Sequence, residues 1–396
     1  MQNQIEILKR NVVDLISEEE LVERLKENRP LRIKLGVDPS RPDLHLGHAV
    51  VLKKLKEFQD LGHHVILIIG DFTAMIGDPT GRNTTRPMLS AEEVRKNAET
   101  YASQAFKILD KDKTEVRFNN EWLGKMNFAD VVKLAGKYTV ARMLERDDFS
   151  KRLSEGQPIS IAEFLYPLAQ AYDSVAIEAD VEIGGTDQLF NFLVGRKIQE
   201  EFGLKPQIVM TMPIIEGTDG KLKMSKSYDN YIAFTDEPNN MYGKVMSIPD
   251  ELIIKYMRLV TDIPENEIDE YEKLMKAAKI NPRDVKMRLA REIVAFFYDE
   301  NIAKEAEENF VKVFRKKELP DEMPEVEIKR GEYNIVDLMV LVEATSSRSE
   351  AKRIVNQGGV KFDGNKVKSF KDFVTIEKEH VLKVGKRKFF RLVVKD

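Results

Sequence analysis

The feature that most constrains this chain is Val65-Ile-Leu-Ile-Ile69, apolar at every position and closed by Gly70-Asp71. A run without alternation suits a strand covered on both faces, as in a parallel sheet. Upstream, Leu31-Arg-Ile-Lys-Leu35 reads as a short strand that leaves through Gly36-Val-Asp-Pro39. Between the two, Val50, Val51, Leu52, Leu55, Phe58 and Leu61 recur at helical spacing, and Gly62 stops the helix. Strand, helix, strand opens a doubly wound α/β domain, a Rossmann-like parallel sheet whose ligands sit beyond the carboxyl ends of the strands. The turns at 36–48 and 70–86 therefore come to one face.

The remainder is organised around that start. Residues 7–29 read as one or two amphipathic helices, 91–111 and 121–205 as largely helical, and Gln207-Ile-Val-Met210 as a further strand. The expected domains are a catalytic unit over 1–232 with a helical insertion near 120–175, a helical domain over 233–318, and a linker over 319–333. A small α+β module follows over 334–396. With 396 residues, two or three domains are the prior. The start is amphipathic and charged, without the apolar core of a signal peptide, so a cytoplasmic location and no membrane partner are expected. There is no cysteine, which excludes disulfides and thiolate–zinc sites. Net charge is −4, yet residues 335–396 carry fourteen Lys/Arg against eight Asp/Glu, a net of +6 on an otherwise acidic chain. That asymmetry suggests that a polyanion meets the tail.

Two segments carry phosphate chemistry. In Asp43-Leu-His45-Leu-Gly47-His48, two histidines flank a glycine where a helix should begin. Free backbone N–H groups there favour phosphate oxygens, the imidazoles add directed donors, and Gly47 lets a flat ring or a phosphate approach. In Gly220-Lys221-Leu-Lys223-Met224-Ser225-Lys226-Ser227, three lysines lie among small polar residues in a turn-prone loop. Lysine is a movable point charge suited to a highly charged leaving group. Either segment alone has a bland reading, a chance helix cap or a solvated loop. Neither a GxxxxGK[ST] loop nor a GxGxxG turn is present, so a P-loop ATPase or a NAD enzyme would lack its parts.

Together the segments resemble the signature pair of class I aminoacyl-tRNA synthetases: Gly36-Val-Asp38-Pro39-Ser40, His45-Leu-Gly47-His48 and Lys223-Met-Ser-Lys226-Ser227. Three further segments are similar to bacterial tyrosyl-tRNA synthetases. They are Ile76-Gly-Asp78-Pro-Thr-Gly-Arg82, Tyr166-Pro-Leu-Ala-Gln170-Ala-Tyr172-Asp173 and Ile183-Gly-Gly185-Thr-Asp187-Gln188. The resemblance implies that Asp78, Tyr166 and Gln170 surround a tyrosine ammonium, that Gln188 helps place the substrate, and that Asp173 accepts from the phenol hydroxyl. It implies ATP contacts from Gly36, Asp38, His45, Gly47, His48, Gly185, Asp187, Lys223, Met224, Ser225, Lys226 and Ser227, with Gly185 and Asp187 at the ribose. His45, His48, Lys223 and Lys226 would act on the phosphates, helped by Arg82 and Arg86. Many members place a tyrosine two residues before Gly36. This chain has Lys34, so other groups would read the phenol.

Tryptophanyl enzymes share the catalytic pattern, and the tail ranks tyrosine first. Ser347 and Glu350 form a capping-box pattern opening a short helix, Gly358-Gly359 ends it, and Asp363-Gly364 signals a hairpin. This resembles the small RNA-binding module that ends bacterial tyrosyl enzymes, with Arg348, Lys352, Arg353 and Lys361 as implied tRNA contacts. The expected activity is therefore a tyrosine–tRNA ligase. It would form tyrosyl-adenylate from tyrosine and ATP, with Mg2+ arriving on the nucleotide and no protein metal site or permanent cofactor. Transfer to the terminal adenosine of tRNA(Tyr) would follow, in a homodimer. A non-enzymatic RNA-binding relative is the rival reading, which the phosphate-binding residues disfavour.

Overall fold

The computed structural model describes residues 2–39, 43–79, 91–312, 323–385 and 388–395. It divides into two compact units. One comprises 1–236 and 247–297, the other 237–246 and 298–396, so residues 233–318 are shared between them.

The first unit is built on a six-stranded sheet. Its strands are β1 (Asp14–Ile16), β2 (Arg32–Val37), β3 (His64–Ile69), β4 (Thr114–Phe118), β5 (Val181–Gly185) and β6 (Ile208–Met212). The spatial order is β1-β6-β5-β2-β3-β4, parallel throughout except for the antiparallel edge strand β1. The chain runs outward from β2 through β3 to β4, then returns to lay β5 on the other side of β2. That reversal opens a crevice at the carboxyl ends of β2 and β5. Val65 to Ile69 of β3 are all essentially inaccessible, as the unbroken apolar run anticipated.

Strands β1, β4 and β5 are absent from the sequence reading, which gave 7–29 and most of 121–205 to helices. Asn11 adopts a left-handed turn and ends the first helix, Gln2–Lys9. Ser17 and Glu20 then make a capping box that starts a second helix, Glu18–Lys26, leaving three residues to pair with β6. Strand β5 is five residues in a helix-rich stretch, too short for periodicity to separate from a buried helical turn.

Asp180, at the foot of β5, ties these pieces together. Its buried carboxylate pairs with Arg24 of the second helix, takes both Arg29 terminal nitrogens at 2.7 Å, and accepts the Arg32 N–H at 2.9 Å. Burial opposes the charge, but Arg29, the Arg32 amide and Arg24 hold the carboxyl below the usual range.

In the second unit, strands β7 (Glu325–Lys329), β8 (Gly331–Asn334), β9 (Val360–Phe362), β10 (Asn365–Lys366), β11 (Phe373–Ile376), β12 (His380–Val384) and β13 (Lys388–Lys395) form two sheets. The larger has the order β10-β9-β12-β13-β7 and the smaller pairs β11 with β8. The expected hairpin is present: Asp363 and Gly364 both take positive φ between β9 and β10, the geometry of a tight two-residue turn. Ser347 caps the helix Arg348–Asn356, but the capping box is incomplete. Glu350 turns its carboxylate to the N–H and hydroxyl of Ser346 instead. Ala351 and Val355 bury that helix in the module's core.

Asp180→Asn is expected to destabilise the protein by about 3–5 kcal/mol at neutral pH, because two cations lose a buried partner. A carboxyl depressed on folding stabilises above its unfolded pKa, about 3.9, and that contribution is lost as pH falls through the folded value. Urea unfolding should therefore show the gap between native and variant closing below about pH 4.

Candidate active site

A cavity of about 400 Å³ occupies the crevice at the reversal point. Among its lining residues are Gly36, Asp38, His45, Gly47, His48, Asp78, Tyr166, Gln170, Asp173, Gly185, Asp187, Gln188, Lys223, Met224 and Ser225. Segments separated by nearly two hundred residues thus meet where the strand order predicts. Arg82, Arg86 and Ser40 lie outside the described residues.

At one side, His45 is the N-cap of the helix Leu46–Asp60. Its Nδ1 accepts from the Gly47 amide at 3.2 Å, and Nδ1 of His48 accepts from the His45 amide at 3.1 Å. An imidazole that accepts through Nδ1 keeps its proton on Nε2, so both rings are neutral single donors. Burial above all holds both below the ordinary histidine range. His48 and Lys226 add to the effect at His45, and His48 is brought to about 4, with Lys226 contributing. A side chain at Gly47 would begin 3.0 Å from the His45 ring, so glycine is what leaves that ring in place.

The lysine loop follows β6. Lys223 pairs with Asp187 at 3.2 Å, and Lys226 pairs with Asp43 beside the Tyr231 ring. Backbone contacts shape the loop: the Met224 amide donates to Ile215 at 2.9 Å, and Asn230 accepts from the Ser225 amide at 2.8 Å. The hydroxyl of Ser225 accepts from the Ser227 amide at 3.2 Å.

The opposite side is lined by the helix Ile161–Ala176. Tyr166 donates to Asp38 at 2.8 Å, and Thr73 donates to the other oxygen of Asp38 at 2.7 Å. Burial first, and then Asp38, raise the Tyr166 phenol well above its ordinary value. Tyr172 instead packs in the core against Phe202.

Asp173 is buried rather than exposed on the helix. Trp122 Nε1 donates to Oδ1 at 2.8 Å and Asn119 Nδ2 to Oδ2 at 3.2 Å. Burial pushes its carboxyl up to about 7, against the opposing pull of Lys34 and these two donors. Asn119 and Trp122 went unnoticed in the sequence. They follow β4, one of the three strands that pattern reading missed, and so no signal placed them at a strand's carboxyl end.

Lys34 is fully buried and does not line the cavity. Its ammonium pairs with Glu182 at 2.8 Å and donates to the Ser174 hydroxyl at 2.7 Å and the Gln170 carbonyl at 2.9 Å. Gln188 donates to Asp78 at 3.1 Å, and both line the cavity. In the other unit, Arg348, Lys352 and Arg353 are exposed on one helix and Lys361 is exposed on β9. Arg348 pairs with Asp337 at 2.7 Å, and Lys352 lies 5.5 Å from the Phe370 ring. No cluster of three or more His, Asp or Glu suited to a metal ion occurs among the described residues. None of the described helices is long and apolar enough to cross a membrane.

A parallel sheet with a helix-capping histidine pair at its reversal point, faced by a lysine loop, is the architecture of a class I nucleotide-activating enzyme. The sequence profile of tRNA synthetases class I (W and Y) matches residues 26–315, and that of the tyrosine–tRNA ligase SYY-like C-terminal domain matches 316–392. The tyrosine–tRNA ligase of Thermotoga maritima is 72% identical over 391 residues, covering 99% of this chain and 97% of its own. That of Carboxydothermus hydrogenoformans is 54% identical over 403 residues, covering 99% and 98%. This chain belongs to the bacterial class I tyrosyl-tRNA synthetase family. Solved structures agree in fold. A C-terminally truncated Aspergillus nidulans mitochondrial tyrosyl-tRNA synthetase gives a TM-score of 0.65 at 23% identity, covering 78% of this chain and 94% of that one. The Archaeoglobus fulgidus enzyme complexed with L-tyrosine gives 0.63 at 21% identity, covering 77% and 99%.

The Asp173 carboxyl makes a testable imprint on stability. Between the unfolded value, about 3.9, and the folded one, the native state holds a proton that the unfolded chain has released. Its contribution to stability is therefore complete below about pH 4 and is lost as pH rises through about 7. Relative to Asp173→Asn, which cannot titrate, the native protein should lose roughly 3–4 kcal/mol between about pH 4 and about pH 8. Urea unfolding of both proteins across that range checks it, and a gap independent of pH would contradict it.

Proposed function

We propose that this chain activates tyrosine with ATP, releasing pyrophosphate, and transfers the tyrosyl group to the 3'-terminal adenosine of tRNA(Tyr). The observation that carries the reading is the meeting of His45, His48, Lys223 and the Asp78–Gln188 and Asp173 groups around one cavity.

Tyrosine lies with its ammonium toward Asp78, Gln170, Gln188 and the Tyr166 oxygen, and its phenol toward Asp173. With Lys34 committed to Glu182, the phenol is read by a carboxylate that Trp122 and Asn119 hold in place. Phenylalanine would leave that buried group without its partner, and this is the basis of discrimination. ATP lies along Gly36, Asp38, Gly47, Met224, Ser225 and Ser227, with its ribose at Gly185 and Asp187. The tyrosine carboxylate attacks the α-phosphorus, forming a C–O–P linkage as the bond to the β-phosphate oxygen breaks. A carboxylate is already a nucleophile, so positioning and charge stabilisation carry this step without a general base. The two imidazoles donate neutral N–H bonds to the phosphate oxygens as charge moves onto them. Lys223 and Lys226 accompany the departing pyrophosphate, joined by Arg82 and Arg86, and Mg2+ enters bound to ATP. The terminal hydroxyl of the tRNA then attacks the activated carbonyl, and AMP leaves.

The basic module over 334–396 grips tRNA through Arg348, Lys352, Arg353 and Lys361, and the helices of 233–318 meet the anticodon arm. The working form is a cytoplasmic homodimer. Its supporting observation is an apolar exterior on the insertion around 120–175. Phe128 is 84% and Ile161 77% exposed, and Val132, Val140 and Leu153 are also exposed, although the same helices bury a core of Leu134, Met143 and Phe149 beneath them. Such side chains suit a second copy of the same surface.

Exchange of labelled pyrophosphate into ATP should depend on tyrosine and not on tryptophan or phenylalanine, and His48→Ala should slow it about 100-fold with little change in tyrosine KM. Exchange driven by tryptophan, or by none of the three, would overturn the reading. Sedimentation equilibrium should show a dimer, with Phe128→Asp weakening association about 10–100-fold. A native monomer at micromolar concentration would remove the dimer.

A further inference from the structure

One buried side chain joins the groups around the ammonium without lining the cavity. Asn191, in the first turn of the helix Leu189–Glu201, is 1% exposed. Its Nδ2 donates to Gln170 Oε1 at 3.0 Å and to Gln188 Oε1 at 3.1 Å. Its Oδ1 accepts from Arg146 at 3.3 Å. The Nε2 of Gln170 donates to Glu182 at 3.3 Å, and the Nε2 of Gln188 donates to Asp78 at 3.1 Å.

An amide side chain can sit in either of two orientations, and its neighbours decide which. Here three ionic groups decide all of them together. Arg146 can only donate, which turns the Asn191 oxygen toward it and the Asn191 nitrogen toward the glutamines. Glu182, paired with Lys34, and Asp78 accept the two glutamine nitrogens, which turns both glutamine oxygens toward Asn191. Reversing any one amide would set donor against donor or acceptor against carboxylate. Each glutamine oxygen keeps a second lone pair, and an ammonium, with donors and no acceptor, needs such oxygens.

We infer that Asn191 is a positioning residue for the amino-acid subsite: it holds Gln170 and Gln188 with their carbonyl oxygens presented to the substrate ammonium. The inference rests on the proposed placement of that ammonium. It also gives Lys34 a part, since Lys34 anchors the far end of the relay through Glu182 and does not read the phenol.

Asn191→Asp separates this role from simple packing. A carboxylate is nearly isosteric and pairs with Arg146 at least as well, so a residue that only secures Arg146 would tolerate it. It has no donor for the glutamine oxygens, so an acceptor faces an acceptor whichever way either amide turns, and the oxygens lose their fixed presentation. In tyrosine-dependent pyrophosphate exchange, Asn191→Asp should raise the tyrosine KM about 10–100-fold while the ATP KM stays within about twofold. Asp78→Asn, run alongside, tests the ammonium placement itself. A raised tyrosine KM in Asp78→Asn with a native one in Asn191→Asp would overturn the relay and leave the ammonium site standing. Native values in both would overturn the placement, and the relay with it. Should Asn191→Asp fail to fold, Asn191→Thr and Asn191→Val differ in one hydroxyl donor. The relay requires a lower tyrosine KM in the threonine variant, and equal values would overturn it.

Discussion

An ion pair lies at the centre of the sheet, on the line where its strand order reverses. Lys34 of β2 and Glu182 of β5 are direct neighbours in the parallel ladder, and both are almost wholly buried. Taking two charges out of water is costly, and it succeeds only when the remaining hydrogen-bonding capacity is met. Here it is met by Ser174, the Gln170 carbonyl, the Gln170 amide and Gln207. The helix Ile161–Ala176 is thereby held to both strands at once, and that helix carries Tyr166, Gln170 and Asp173 into the cavity.

The site's electrostatics follow from burial more than from charge. His45 and His48 are neutral, because the helix start offers them backbone N–H groups to accept and little water to support a cation. The mobile positive charge comes from lysines. Lys223 is paired with Asp187, which lines the cavity, and Lys226 with Asp43. A lysine ammonium exchanges partners readily because it is a point charge on a flexible stem. At the far end, desolvation raises the Asp173 carboxyl to about 7 against the pull of Lys34, Trp122 and Asn119.

Much of the site was legible in the sequence, because its parts are short, local and chemically unusual. A histidine pair around a glycine before a helix, and lysines among serines after a strand, announce themselves through spacing alone. The reversal point could be anticipated from strand, helix, strand at 31–69. Asn119, Trp122 and Asn191 were not legible. Each is an ordinary polar or aromatic residue locally, and each meets a partner 21 to 54 positions away in the chain. The missed strands share that cause: three to five residues give too little periodicity, and pairing partners decide their conformation.

By itself, then, the sequence determined the doubly wound core, the hairpin and capped helix of the basic tail, and the family, since these depend on local patterns of apolarity, turns and charge. Tertiary structure alone decided what Lys34 does. In the sequence it is a cation where a phenol-reading tyrosine was expected. In the fold, β5 returns beside β2 and places a carboxylate against it, so the charge is neutralised inside the sheet and does not line the cavity. Local chemistry states which groups a residue can bind, and chain topology supplies the group it meets.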